Sequence, residues 1–213
     1  MSHFVVYVFG DDVDDLLAPY SENLEVAPYI RYTKQQAIAE IRKEIEDYKN
    51  DTYAKFLEDP EGYKARYGHN ESHIRYLEED FPKRLNWTDE ECFEEKSLWF
   101  DEDMIDEEGN LWSNYNPNSK WDWYVCGGRW DDELVTKEGG HTNEDYVSEI
   151  NWDETLIPFA YVDPKGRWYD KGDMGWWGIV TNEKDQDKYT AEFKKFISKL
   201  PKDTTVTVVD CHI

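Results

Sequence analysis

The run FVVYVF (Phe4 to Phe9) is continuously β-branched and aromatic and stops at Gly10 and Asp11. That pattern predicts a buried strand closing in a turn, at the centre of a sheet. The stretch DDVDDLLAPY and the SENLEVAPY after it carry two prolines among many acids, and they read as an irregular connection. From Thr33 the period changes. Ile38, Ile41, Ile45 and Tyr48 recur at helical intervals, and Thr33 with Gln36 has capping-box spacing, so a helix is expected to about Asn50. A second helical stretch runs through Tyr53, Phe56 and Leu57; Asp59 and Pro60 then read as N-cap and first helical residue, with Gly68 as the stop.

Beyond Asn110 the texture is aromatic: nine of the ten tryptophans lie between Trp99 and Trp177. WDWYVC reads as a strand, and IPFAYV, the turn DPKG and RWY read as a hairpin. GDMGWWGIV is a glycine-punctuated loop. DKYTAEFKKFISKL places Tyr189, Phe193, Phe196, Ile197 and Leu200 on one helical face, and TTVTVV (Thr204 to Val209) is a final strand. This order predicts an α+β fold: an antiparallel or mixed sheet with helices on one face. A ferredoxin-like layout with insertions is the specific expectation, with first and last strands as antiparallel neighbours. Residues 1–213 then form a single α+β domain, with a helical and acidic insertion at about 31–110.

Charge refines this picture. The chain has 24 Lys and Arg against 48 Asp and Glu, a net charge of −24. Direct binding to nucleic-acid phosphates or to an anionic membrane is excluded, because both need clustered cations. The acidity is local: residues 31–86 hold 11 basic and 12 acidic side chains, whereas residues 89–108 hold 11 acids and one lysine. That second stretch opens with Thr88 and Glu91 at capping-box spacing and predicts a short acidic helix followed by a loop. It serves either as a solvated face or as a surface for a basic partner. Amides at Asp101, Glu102, Asp103, Asp106, Glu107 and Glu108 are expected to leave the fold intact. No apolar run reaches the roughly 18 residues that span a bilayer. Three widely spaced cysteines, Cys92, Cys126 and Cys211, argue against a disulfide framework and imply a reducing cytoplasm.

The densest chemistry lies in KWDWYVCGGRWDDE, residues 120–133. Alternation along a strand puts Trp121 and Trp123 on one face and Asp122 on the other. Gly127 and Gly128 permit a bulge or a close backbone approach, and Arg129 beside Trp130 supplies a guanidinium that can stack on indoles or bind an anion. Trp176 and Trp177, in the glycine loop, would add two more rings. These nine residues are the candidate ligand- or partner-binding site, floored by Trp121 and Trp123; an aromatic core braced by a contact of Asp122 with Arg129 or with backbone is the competing reading.

The stretches MSHFVVYVFGDDVDDLLAPY, YNPNSKWDWYVCGGRW, RWYDKGDMGWWGIV and TVVDCHI resemble a family of uncharacterised proteins encoded in tailed bacteriophages and prophages. The likeness covers both ends and most of the C-terminal half. It implies expression in the cytoplasm of an infected bacterium. It also implies an accessory role: binding and inhibiting or sequestering a host component, such as a defence-system protein, or a small nucleotide. An enzyme acting on a nucleotide-like anion at the Trp/Arg site is the alternative.

Signals for catalysis are sparse. There is no Walker glycine loop, no G-x-S-x-G and no dinucleotide fingerprint, and no cofactor or metal is called for. His69 and His73 have the spacing of one helix face but lack the H-E-x-x-H context. Asp210 and His212 alternate onto one strand face, with Cys211 opposite, and His3 would lie beside them if the terminal strands pair. Such a set suits a hydrogen-bonded cluster, a proton shuttle or a metal.

Overall fold

The computed structural model describes residues 2–175 and 178–213. The chain forms two compact units, one from Met1–Val26 with Tyr115–Ile213 and the other from Ala27–Asn114. The expected insertion at about 31–110 lies within the second unit.

The first unit is built on a mixed sheet, so the fold class is α+β. Its strands run in the order Trp123–Cys126, Thr205–His212, His3–Phe9, Ala160–Val162, Trp168–Asp170, and Glu144–Tyr146 also pairs with Thr205–His212. The strand His3–Phe9 is central, as its apolar run Phe4 to Phe9 requires. It pairs antiparallel with the last strand in the register His3 to His212 and Phe9 to Val206. On its other side it pairs parallel with Ala160–Val162. That parallel neighbour departs from the ferredoxin-like expectation, in which another strand splits the parallel pair. Of the two hairpin strands, the fully buried Ala160–Val162 takes the place against the first strand and the more polar, half-buried Trp168–Asp170 takes the edge.

The helix Gln186–Ile197 covers one sheet face, where Tyr189, Phe193 and Ile197 meet Val5, Tyr7, Phe9, Val206 and Val208. Phe4, Val6, Val8, Val209 and Cys211 occupy the other face with Leu17 and Trp121. Helical cover is therefore not confined to one side. The segment expected to be irregular contains a short helix, Val13–Leu17, whose N-cap Asp12 accepts a hydrogen bond from the Asp15 N–H at 3.0 Å. Capping there outweighs the prolines that follow.

In the second unit the helix Lys34–Tyr48 carries the predicted Thr33/Gln36 capping box. Asp59 caps Pro60–Tyr67, and Gly68 ends it. Ile41, Ile45, Phe81 and Cys92 form this unit's core. The acidic helix is Asp89–Ser97 with its Thr88/Glu91 box. One acid there is structural: Asp106 accepts from the Trp112 indole N–H at 2.9 Å, the Asn110 N–H at 2.8 Å and the Asn110 amide at 2.9 Å. The Trp112 and Asn110 side chains hold its pKa below the usual carboxylate range. These bonds single out Asp106 as the acid of this loop where an amide is expected to cost stability.

Candidate functional site

The strand order gathers residues distant in sequence at one end of three neighbouring strands. His3 and His212 are register partners, as are His212 and Trp123. All three therefore share a face. Their rings are in contact: Trp123 stacks on His212 at 4.9 Å between centroids and 15° between planes, and His3 meets both edge-on at 4.9 and 5.3 Å.

Each histidine is held by a carboxylate. His3 Nδ1 lies 2.8 Å from Asp210 Oδ1, and His212 Nδ1 lies 2.6 Å from Asp122 Oδ1. The carboxylates accept, so Nδ1 donates in both pairs, and in the neutral form of either ring Nε2 is the acceptor. Asp122 Oδ1 also accepts from the Trp123 N–H at 2.8 Å.

Trp121 and Trp123 do not share a face. Trp121 is only 8% exposed, packs edge-on against Tyr124, and donates its indole N–H to the Leu17 carbonyl at 3.2 Å. Trp123 is 45% exposed on the opposite side. Alternation counts positions along an unbroken strand, but the regular strand begins only at Trp123. Asp122 bends just before it, donating its N–H to the His212 carbonyl at 3.0 Å. The bend turns Asp122 towards His212 and sends Trp121 into the core. The two-tryptophan floor is replaced by Trp123 alone.

Gly127 and Gly128 do serve a close approach, with φ of +73° and +62°. A Cβ on Gly128 would lie 2.5 Å from Asp210 Cβ and 2.7 Å from its Oδ2, far inside contact distance. The space that glycine leaves lets the Arg129 N–H reach Asp210 Oδ2 at 3.0 Å. Asp210 thus couples His3 to the Gly-Gly-Arg turn. Among the described residues the exposed Arg129 guanidinium has no hydrogen-bond or ion-pair partner, so the brace between Asp122 and Arg129 is not formed. Trp130 packs instead against the core beneath the long helix. Trp176 and Trp177 lie outside the described residues; Ser2 Oγ donates to the Gly175 carbonyl at 2.9 Å and accepts from the Gly178 N–H at 2.6 Å.

No known family, curated protein or solved structure matches the chain. The functional reading therefore rests on the arrangement itself. It offers the exposed face of the Trp123 indole and, among the described residues, an unpartnered guanidinium, over two largely buried imidazoles, which suits a flat ligand with an anionic group. Burial pushes the Cys211 thiol well above its ordinary range, which removes it as a nucleophile. His69 precedes the helix Glu71–Arg75 that contains His73, and His73 Nε2 meets the Tyr63 hydroxyl at 3.1 Å, so the two do not form one ligating face. Sequence reasoning missed the pairing of Asp122 with His212. Only the strand register and the bend reveal it.

Proposed function

We propose that the protein binds a small nucleotide-like anion at the Trp123–His3–His212–Arg129 site and so acts as an accessory factor that sequesters a host molecule. One observation carries this reading: the unpartnered Arg129 is fastened through its N–H to the carboxylate that orients His3, beside a half-exposed indole. A base stacks on Trp123, and its phosphate pairs with Arg129. The phage resemblance supplies the setting, the cytoplasm of an infected bacterium.

Turnover of the same ligand is the second reading. It is favoured by the two carboxylate–imidazole pairs, since a carboxylate on Nδ1 orients the ring, as a general base requires. Calorimetry against a panel of mono-, di- and cyclic nucleotides, with chromatography of heat-released ligand, tests both. Binding weakened at least about tenfold by Arg129→Ala or Trp123→Ala is expected, each deletion removing a charge-assisted or stacking contact. Products accumulating with time would select turnover. Absence of binding across the panel, or full binding by Arg129→Ala, would overturn the site.

A further inference from the structure

The second unit carries a feature the nucleotide reading does not use. Leu98 and Trp99, at the end of the helix Asp89–Ser97, are 79% and 82% exposed. Each makes only a single-turn backbone bond there, to Glu94 and Lys96. No ring contact engages the Trp99 indole among the described residues. An indole and an isobutyl group left adjacent in water are what a partner interface buries, and tryptophan is the residue most enriched among such anchors.

The structure also sorts the 11 acids around them. Asp89 pairs with Arg42, Glu90 with Lys34 and Glu95 with Arg84. Glu91 closes the capping box and Asp106 holds its turn. Glu94, Asp101, Glu102, Asp103, Glu107 and Glu108 have no ion-pair partner among the described residues, and Glu94 and Asp101 to Asp103 bracket the apolar pair in sequence. Charge not consumed by the fold therefore lies on both sides of the exposed anchors.

We infer that Leu98 and Trp99 anchor a basic polypeptide segment presenting an apolar side chain, steered by these unpaired carboxylates. Phosphate-bearing partners are repelled by the same charge. The proposal stands independently of the nucleotide site.

Fluorescence anisotropy with two synthetic peptides of equal charge, one of alternating Lys and Leu and one of alternating Lys and Ser, tests it. The Lys/Leu peptide is expected to bind about tenfold tighter, an anchor-sized difference. Leu98→Ser with Trp99→Ala should erase that difference while circular dichroism stays unchanged. Amides at Asp101, Glu102 and Asp103 should weaken both peptides and flatten their salt dependence. Equal affinity for the two peptides, or a preference that survives loss of Leu98 and Trp99, overturns the proposal. Concentration-dependent dimerisation in sedimentation, abolished by Trp99→Ala, would overturn it in favour of a second copy of this chain as the occupant.

Discussion

In the sheet unit, Asp210 and Asp163 are buried, and each is held by donors on both carboxylate oxygens. Asp163 Oδ1 accepts from the Lys165 and Arg167 N–H groups at 2.9 and 3.0 Å, and its Oδ2 from Arg167 Nε at 2.7 Å. In the inserted unit the ion pairs Lys34–Glu90 and Lys49–Glu46 have both partners substantially exposed, and Lys64 bridges Glu61 and Glu78 at the surface. Buried carboxylates must be fully satisfied because an unmet one costs several kcal/mol. Exposed pairs carry no such obligation. Charge at Asp210 and Asp163 therefore fixes geometry, while in the inserted unit, Asp106 and the Arg84–Glu95 and Lys96–Glu40 pairs aside, much of the charge is left available for a surface role.

The tryptophans give the sharpest way to break this contrast. Trp121→Ala is expected to cost about 3–5 kcal/mol in urea unfolding, because it empties a core site. Trp99→Ala should change stability by no more than about 0.5 kcal/mol, as a surface substitution does. Equal effects would abolish the distinction between the units.

Asp210→Asn comes next. It removes a charged acceptor from both His3 and the Arg129 N–H, and an expected loss of about 1–3 kcal/mol follows from hydrogen bonds to a buried charge. Asp89→Asn in the inserted unit should leave the denaturation midpoint where it is.

Acid sharpens the comparison further. Burial opposes ionisation of Asp163, but the Arg167 guanidinium and the Arg167 and Lys165 N–H groups outweigh it, so its pKa is lowered on folding. A lowered folded pKa means its contribution is complete above the unfolded value of about 3.9 and disappears as pH falls through the folded one. The stability gap between the wild type and Asp163→Asn should therefore be constant from neutral pH to about 4 and close below it. A gap that persists in strong acid would assign the effect to turn geometry instead of charge.

The smallest effects concern the acidic stretch. Joint amide substitution at Asp101, Glu102, Asp103, Glu107 and Glu108 should leave the thermal midpoint unchanged, whereas Asp106→Asn alone should lower it. An insensitive Asp106 would place it among the solvated acids.

What was legible in the sequence follows the range of the interactions involved. The central strand, the Asp163–Gly166 hairpin, both capping boxes and the amphipathic final helix are written in residues a few positions apart. The pairing of the first and last strands was reached through a ferredoxin-like layout, and it holds although the rest of that layout does not. The split between Trp121 and Trp123 was not: it depends on a single bend at Asp122, stabilised by the His212 carbonyl about ninety residues away. The role of Asp106 did have a local signal, an acid four positions before Asn110 across a glycine, which places an Asx turn within reach. Asp12 likewise preceded an apolar pattern with acids in its first turn, a helix start overridden in reading by the nearby prolines.

The pairing of the terminal strands has a consequence for how the protein comes into being. His3 and Asp210 are separated by 207 positions, so the strand His3–Phe9 waits for a segment synthesised long after it before that edge is covered. Contacts of that span slow folding and leave apolar segments open in the interval. FVVYVF must pass through synthesis with one side unpaired, which makes it a natural client for a holding chaperone. The carboxylate-held histidines cannot assemble on any nascent chain that stops short of Asp210, so partial products carry the aromatic stretch without its chemistry.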